Sequence, residues 1–565
     1  MYREEHPNPQ FYRDSWKNLN GTWGFEFDFG CSGRDRKVYE QEKLEKFIEV
    51  PFCPESALSG IEYKDFINGV WYMRSVEIPE DWKNSGRVFL HFGAVDYHAV
   101  VYVNKKEAGE HFGGYTSFKL DITELLEEGK NTIAVFAEDD NRHGQQPCGK
   151  QAHFFASSGC DYTRTTGIWQ TVWLEHTPEA YIENFEFYPD VTNGKLSFRV
   201  YTVGCGDLTV NAAYEGKPMG DVTVHSEGVV CGEIQLAEKH LWEIGCGRLY
   251  DVEMHFGDDC VKSYFGLRSV RMDGMKFLLN GKSVFQRLVL DQGFYPEGIY
   301  TAPKEEDLKK DILLSLDAGF NGARLHEKVF EPRFLYYCDK LGYLAWGEFP
   351  NWGLDYSQPE ILASFMSEWK EAVTRDFNHP SIIGWCPFNE TWDYVGKRRQ
   401  WDPLLSSVYY MTKAIDPTRP CIDTSGNYHT VTDIFDVHDY EQDPEKFAAH
   451  FEKLSEGVVE NSCNSRQTYT GGPFFVSEYG GICLNADGTE GWGYGNAPKS
   501  LEEYIDRYDK LTTTLLDDPN MFAFCYTQLY DIEQEINGLY TYDRTPKLDM
   551  SIIKKINTKK AAIED

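Results

Sequence analysis

Ser381-Ile382-Ile383-Gly384-Trp385-Cys386-Pro387-Phe388-Asn389-Glu390 is an almost unbroken apolar run that ends in an amide and a carboxylate. A short run of this kind predicts a strand buried on both faces, and such strands belong to parallel sheets covered by helices. Pro473-Phe474-Phe475-Val476-Ser477 repeats the pattern and ends in Glu478-Tyr479-Gly480-Gly481. Two buried strands, each with a carboxylate at its C-terminal tip, raise the question of what scaffold would bring those tips together.

Working outward, buried runs alternate with helical ones. Val284 to Leu290, Phe320 to His326, Tyr343 to Glu348, Pro420 to Thr424, Ile434 to His438 and Phe522 to Tyr526 read as further strands. Between them, Leu308, Ile312 and Leu316 follow Pro303 at helical spacing, and a helix from Glu331 to Leu341 stops at Gly342. Ile361, Phe365, Trp369, Val373 and Phe377 stripe another helix, as do Leu501, Tyr504, Ile505, Tyr508 and Leu511. Residues 271–565 therefore read as a (β/α)8 TIM barrel, in which polar side chains at strand C-termini face the active site. Those tips are Asp291, Arg324 with His326, Glu348, Asn389 with Glu390, Asp423, His438 with Asp439, Glu478 and Gln528.

Upstream the texture is all β. Asn20 to Phe27, Trp71 to Ile78, Arg87 to Phe92, Ala99 to Val103, Asn131 to Ala137 and Trp169 to Leu174 are short strands between turn signals, which predicts a jelly roll over residues 1–178. After His176-Thr177-Pro178, the alternating runs Leu196 to Tyr201 and Leu208 to Ala212 fit an immunoglobulin-like β-sandwich over 179–270.

Composition narrows the function. The chain has 565 residues and a formal net charge of −34, which argues against nucleic acid or an anionic membrane as partner. The start, Met1-Tyr2-Arg3-Glu4-Glu5-His6-Pro7, carries no apolar signal segment, and no apolar run is long enough to span a bilayer. The 14 cysteines include no CxxC pair and read as reduced thiols of a cytoplasmic protein. His326-Glu327 lacks the spacing of a zinc helix, and no phosphate-cradling glycine motif is present, so neither a metal nor a cofactor is expected.

Retaining glycoside hydrolysis requires two carboxyls about 5–5.5 Å apart, one as nucleophile and one as acid/base. Glu390 and Glu478 meet that requirement if their strands lie across one barrel mouth. Asn389 is placed to donate to a sugar hydroxyl, with Arg324 and His326 orienting a carboxylate or binding hydroxyls. Asp291, Glu348, His438, Asp439, Tyr479 and Gln528 are further candidate substrate contacts, and Trp352, Trp392, Trp492 and Tyr494 are candidate sugar-stacking rings in loops. A glycoside or oligosaccharide is the expected partner, and a homo-oligomer is left open.

The whole chain resembles glycoside hydrolase family 2, which includes β-galactosidases, β-glucuronidases and β-mannosidases. The resemblance rests on Gly113-Gly114-Tyr115-Thr116, Gly167-Ile168-Trp169, Gly319-Phe320-Asn321 through His326, Phe377-Asn378-His379-Pro380, Phe388-Asn389-Glu390 and Ser477-Glu478-Tyr479-Gly480-Gly481. It implies Glu390 as acid/base, Glu478 as nucleophile and retention of anomeric configuration. Three places depart from the family pattern. Leu290-Asp291-Gln292-Gly293 lacks the usual His-acid pair, and Arg324-Leu325-His326-Glu327-Lys328 replaces the common Arg-x-x-His-Tyr-Pro. The family's glucuronidases carry Asn-x-Lys where this chain reads Glu535-Ile536-Asn537, with Glu533 nearby. A missing lysine beside two acids would repel a uronate. The expectation is therefore an exo-enzyme for a neutral terminal sugar, first a β-galactosidase. Galactofuranosidase, arabinosidase, β-mannosidase or β-glucuronidase activity, transglycosylation, and a catalytically silent carbohydrate-binding barrel are the alternatives.

Overall fold

The computed structural model describes residues 2–82, 85–391, 399–459, 467–469, 471–485, 488 and 490–565. The N-terminal jelly roll packs a six-stranded antiparallel sheet against a four-stranded one. Lys46–Val50, Gly21–Phe27, Gly69–Glu77, Lys130–Glu138, His98–Val103 and Lys106–Phe112 form the first. Trp16–Asn18, Val172–Thr177, Arg87–Phe92 and Phe118–Asp121 form the second. Their inward side chains, among them Phe25, Tyr72, Leu90 and Val135, make one core. The last strand begins at Val172 rather than Trp169, and the Trp169 indole donates to the Gly114 carbonyl at 2.7 Å.

The second domain is a sandwich of three and four antiparallel strands. Tyr181–Asp190, Lys195–Val203 and Val229–Gln235 face Lys217–Ser226, Gly206–Tyr214, Tyr250–Phe256 and Asp259–Phe265 over a core of Phe185, Phe198, Val210 and Met254.

The barrel sheet is parallel. In spatial order its strands are Ile382–Cys386, Leu344–Glu348, Gly322–Leu325, Gln286–Asp291, Ala523–Thr527, Phe474–Gly480 and Phe435–Asp439. The expected strand 420–424 is present only as an extended segment. It bridges Trp385 to Cys421 and Asn389 to Ser425, and it reaches the next strand through side chains, with Ser425 Oγ donating to Asp436 at 2.6 Å. The barrel closes through this irregular fifth position. The opening run is also shorter as a ladder than its sequence suggested. The strand stops at Cys386, before Pro387, which has no N–H to continue it.

Packing around that strand is reciprocal. A Cβ on Gly384 would lie 2.3 Å from the Trp346 ring, and one on Gly347 would lie 2.6 Å from the Trp385 ring. Each glycine makes room for the indole of the neighbouring strand. The striped helix is Ile361–Asp376, and Phe365, Trp369 and Val373 are buried as the spacing requires. The first barrel helix, Glu305–Asp317, has Lys304 as its N-cap, so Pro303 precedes the cap instead of opening the helix. A closing helix, Met550–Asn557, was not read from the sequence.

The domains meet at the motifs quoted above. Tyr115 N donates to Glu368 on the striped helix at 2.8 Å, and a Cβ on Gly113 would lie 2.8 Å from the Glu368 carboxyl carbon. The Gly113 φ of +135° and this close approach favour glycine there. No helix among the described residues is long and apolar enough to cross a membrane.

Candidate active site

The strand C-termini converge on Arg324, which is buried. Its Nε donates to Glu348, its Nη1 to the Ser477 carbonyl at 2.8 Å and to Glu478 Oε1 at 3.1 Å, and its Nη2 to Asn389 Oδ1 at 3.1 Å. One guanidinium thus ties the second, third, fourth and seventh positions of the barrel together. A planar fork with five donors suits that task, and an ammonium would not. His326 Nδ1 lies 3.1 Å from the other Glu348 oxygen, so Glu348 is consumed in holding Arg324 and His326.

His438 stands between the two carboxylates singled out from the sequence. Its Nδ1 lies 2.6 Å from Glu390 Oε1 and 3.3 Å from Glu478 Oε2. One oxygen of each carboxylate and a ring nitrogen lie within 4.8 Å of one another, the close spacing that retaining chemistry uses. The His438 Nε2 lies 3.0 Å from Ser425 Oγ, which itself donates to Asp436. The same Nε2 also lies 3.5 Å from Arg324 Nη1, so Nδ1 faces carboxylates while Nε2 faces a hydroxyl and a guanidinium. Burial opposes a charge on this ring, yet Glu478 and Glu390 raise the His438 pKa above its ordinary value. Burial likewise opposes ionisation of Glu390, but the bond to His438 and the charges of His438, Lys150 and Arg324 hold its carboxyl below the usual range. Glu390 lies in the loop beyond its strand at φ 47°, a left-handed conformation costly for a non-glycine residue, and its N–H is pinned to the Ser425 carbonyl at 3.0 Å.

Tyr440 completes the setting of Glu478. Its hydroxyl donates to Glu478 Oε2 at 2.6 Å, and its ring stacks on Tyr494 with centroids 3.5 Å apart. Asn389 accepts from Arg324 through Oδ1, while its buried Nδ2 has no hydrogen-bond partner among the described residues. The Asn389 backbone is fixed by Asn351, whose side chain accepts from Asn389 N at 2.7 Å and donates to Asn389 O at 2.9 Å.

Several expected contacts are placed elsewhere. Asp291 accepts from Tyr530 at 2.7 Å and from Gly293 N at 3.0 Å; burial and then Asp311 push its carboxyl up to about 6. It is a buried support of the first barrel loop, not part of the cluster. Asp439 binds His450 at 2.6 Å and the Glu441 N–H at 3.0 Å, and so points away along its loop. Tyr479 bonds Thr512 at 2.8 Å in the helix Leu501–Asp517, because alternation along the strand turns it outward when Glu478 faces inward. Gln528 accepts from Gln292 at 2.5 Å and donates to Asn537 at 2.8 Å, within a network that includes Glu535 and Tyr162. Trp352 stays at the cluster, lining the cavity that Glu390 borders and donating its indole N–H to the Asn389 carbonyl at 3.2 Å, whereas Trp492 donates to the Gly159 carbonyl at 2.7 Å. Trp392 lies outside the described residues.

Tyr440, Asn351 and Lys150 were missed. Tyr440 directly follows His438-Asp439 and was within reach of a tip-by-tip reading. Lys150 gave no signal, since it belongs to the jelly roll. A segment of that domain crosses to the barrel mouth. Cys148 N and Gly149 N donate to the Trp352 and Pro350 carbonyls at 2.8 and 3.1 Å, Thr163 N donates to Glu533 at 3.1 Å, and Tyr162 bonds Glu535.

Comparison with known proteins agrees with this architecture. The family model described as "Glycosyl hydrolases family 2, sugar binding domain" matches residues 16–178, and "Glycosyl hydrolases family 2, TIM barrel domain" matches residues 270–561. A β-glucuronidase of Paenibacillus borealis is 24% identical over 94% of this chain and 95% of its own length. The β-glucuronidase of Sus scrofa is 25% identical over 72% of this chain and 67% of its own. Among solved structures, a β-glucuronidase from Ruminococcus gnavus in complex with D-glucuronic acid superposes with a TM-score of 0.82 at 19% identity, covering 98% of this chain and 99% of that one. These relatives are not the β-galactosidases expected from the residues at 535–537. Two family models that together span the jelly roll and the barrel, laid over a barrel mouth that gathers two carboxylates around one imidazole, make this chain a glycosidase that belongs to glycosyl hydrolases family 2.

Proposed function

We propose that the chain is a retaining exo-β-glycosidase acting on a β-glucuronide. The observation that carries the reaction is His438 held between Glu390 and Glu478 at 2.6 and 3.3 Å. The relatives' shared description as β-glucuronidases supports the sugar.

Glu478, held by Arg324 and Tyr440, attacks the anomeric carbon as the bond to the departing oxygen breaks. Glu390 gives that oxygen a proton. His438 Nδ1, 2.6 Å from Glu390 Oε1, is the neighbour with which Glu390 shares that proton before the reaction. Water then attacks the glycosyl-enzyme, its proton returns to Glu390, and Glu478 leaves as a carboxylate. The unpaired Asn389 Nδ2 binds a sugar hydroxyl beside the reacting carbon.

A second reading, a neutral sugar such as a β-galactoside, is favoured by buried Glu535 in place of the family's asparagine and by Asn537 in place of its lysine. Nitrophenyl β-glycosides in glucurono, galacto, gluco, manno and arabino forms separate the two. Highest kcat/KM on the glucuronide is expected, and highest activity on the galactoside would replace the first reading with the second. Glu478→Gln, correctly folded, should abolish turnover of every glycoside the parent cleaves; near-parental activity would sink the assigned mechanism.

A further inference from the structure

Arg324, Lys328, Arg544 and Lys150 are among the buried cations of the described residues. Arg324 is bound to Glu348, Glu478 and Asn389. Lys328 donates to the Gly293 and Tyr300 carbonyls at 2.5 and 2.8 Å, and Arg544 pairs with Asp311 at 3.0 Å. Lys150 is only 6% exposed, yet its ammonium has neither a hydrogen bond nor an ion pair among the described residues. It sits over the Trp352 ring, 3.7 Å from the centroid. Its contact with the indole face and the nearby carboxylates favour the charge, but none of its three N–H donors has a protein acceptor among the described residues.

Its place is set firmly. The Lys150 carbonyl accepts from Tyr162 N at 2.7 Å, and the Tyr162 hydroxyl binds Glu535. The preceding Gly149, at φ +56°, has no room for a side chain, since a Cβ would lie 2.4 Å from the Glu327 carbonyl oxygen. Beneath the ammonium, Trp352 holds the Asn389 carbonyl, next to Glu390. Lys150 thus stands between the Asn389-Glu390 tip and the 535–537 segment. Burial alone would lower its pKa, but Cys160, Glu535, Glu390 and Glu478 outweigh that and keep it charged.

We infer that Lys150, delivered from the jelly roll, is the cation that receives the substrate's carboxylate, taking the place of the lysine absent at 535–537. The inference rests on the glucuronide reading. A carboxylate placed against this ammonium would satisfy its donors in a charge-assisted bond, whereas a neutral hydroxymethyl group would leave the charge uncompensated. The formal net charge of the whole chain, −34, disfavours an anionic sugar unless a local cation receives it.

The test uses the full chain and compares p-nitrophenyl β-D-glucuronide with the matching β-D-glucoside for the parent, Lys150→Met and Lys150→Arg. In Lys150→Met the glucuronide-to-glucoside ratio of kcat/KM should fall by about a hundredfold, and Lys150→Arg should retain most of the parent ratio. D-glucuronate should also lose potency as an inhibitor relative to D-glucose in Lys150→Met. Thermal unfolding checks that each variant is folded, and Lys150→Arg keeps the charge if the methionine variant is unstable. A parent that prefers the glucuronide, with a ratio unmoved in Lys150→Met, overturns the role of Lys150 and leaves the glucuronide reading intact. A parent without that preference overturns both.

Discussion

Tyr440→Phe tests how the nucleophile is held. The perturbation is one oxygen atom. Stacking on Tyr494 at 3.5 Å keeps the ring in place, so Glu478 Oε2 loses its 2.6 Å donor, and Thr527 Oγ1, which can turn to another partner, loses its 3.0 Å one. A hydrogen bond to a charged group is worth about 1.5–3 kcal/mol. At about 1.4 kcal/mol per tenfold, that corresponds to roughly a 10- to 150-fold effect on a step in which the carboxylate charge is gained or lost. The direction depends on the step. Glu478 is charged before glycosylation and regains its charge when the glycosyl-enzyme breaks down. The hydroxyl stabilises the departing carboxylate, so deglycosylation should slow by about that factor. Glycosylation should lose less, because a carboxylate with one donor fewer is the better nucleophile. With a dinitrophenyl glycoside of the preferred sugar, kcat should fall by roughly 10- to 150-fold, KM should fall with it as glycosyl-enzyme accumulates, and kcat/KM should fall less. Rapid mixing should reveal a burst of phenol. The melting temperature should move by no more than about 2 °C. An unchanged kcat with a raised KM would refute the reasoning, since it would make Tyr440 a substrate contact and not a support of Glu478.

Glu390→Gln should depress turnover steeply for glycosides with poor leaving groups and mildly for dinitrophenyl glycosides, which need no proton; equal losses on both would remove Glu390 from the acid role. Gly384→Ala should cost about 1–3 kcal/mol by driving a methyl group to within 2.3 Å of the Trp346 ring, read as a lower urea midpoint. An unchanged midpoint would contradict the reciprocal packing. Burial opposes the charge on His429, but Asp423 and Asp436 raise its pKa from 6.5 to about 10. The stabilisation is fully present below about pH 6.5 and lost as pH rises through 10, with an upper bound of roughly 5 kcal/mol. The stability difference between the parent and His429→Gln should therefore shrink between pH 7 and 10, and a difference that stays constant would place no charge on His429.

The sequence by itself determined the elements and the reacting pair. Apolar runs of strand length and stripes at helical spacing depend on local periodicity, so 381–386, 474–480 and the Phe365-Trp369-Val373 face were legible directly. Glu390 and Glu478 were legible because each ends such a run. What each tip does was not local. Asp291, Asp439 and Tyr479 sit at tips as expected, yet each is turned to Tyr530, His450 or Thr512 by the pleat and by the loop that follows. The fifth strand is broken as a ladder because it meets strand four only through isolated backbone bridges and reaches the sixth strand through side chains such as Ser425 and Asp436, for which no periodicity speaks. Tertiary structure alone decided the union of Arg324 with Glu348, Asn389 and Glu478, and the delivery of Lys150 from another domain onto Trp352. The reason is physical: strand and helix patterns record which side of an element meets apolar neighbours, whereas the charge a substrate meets depends on segments far apart in the chain and close only after the domains have packed.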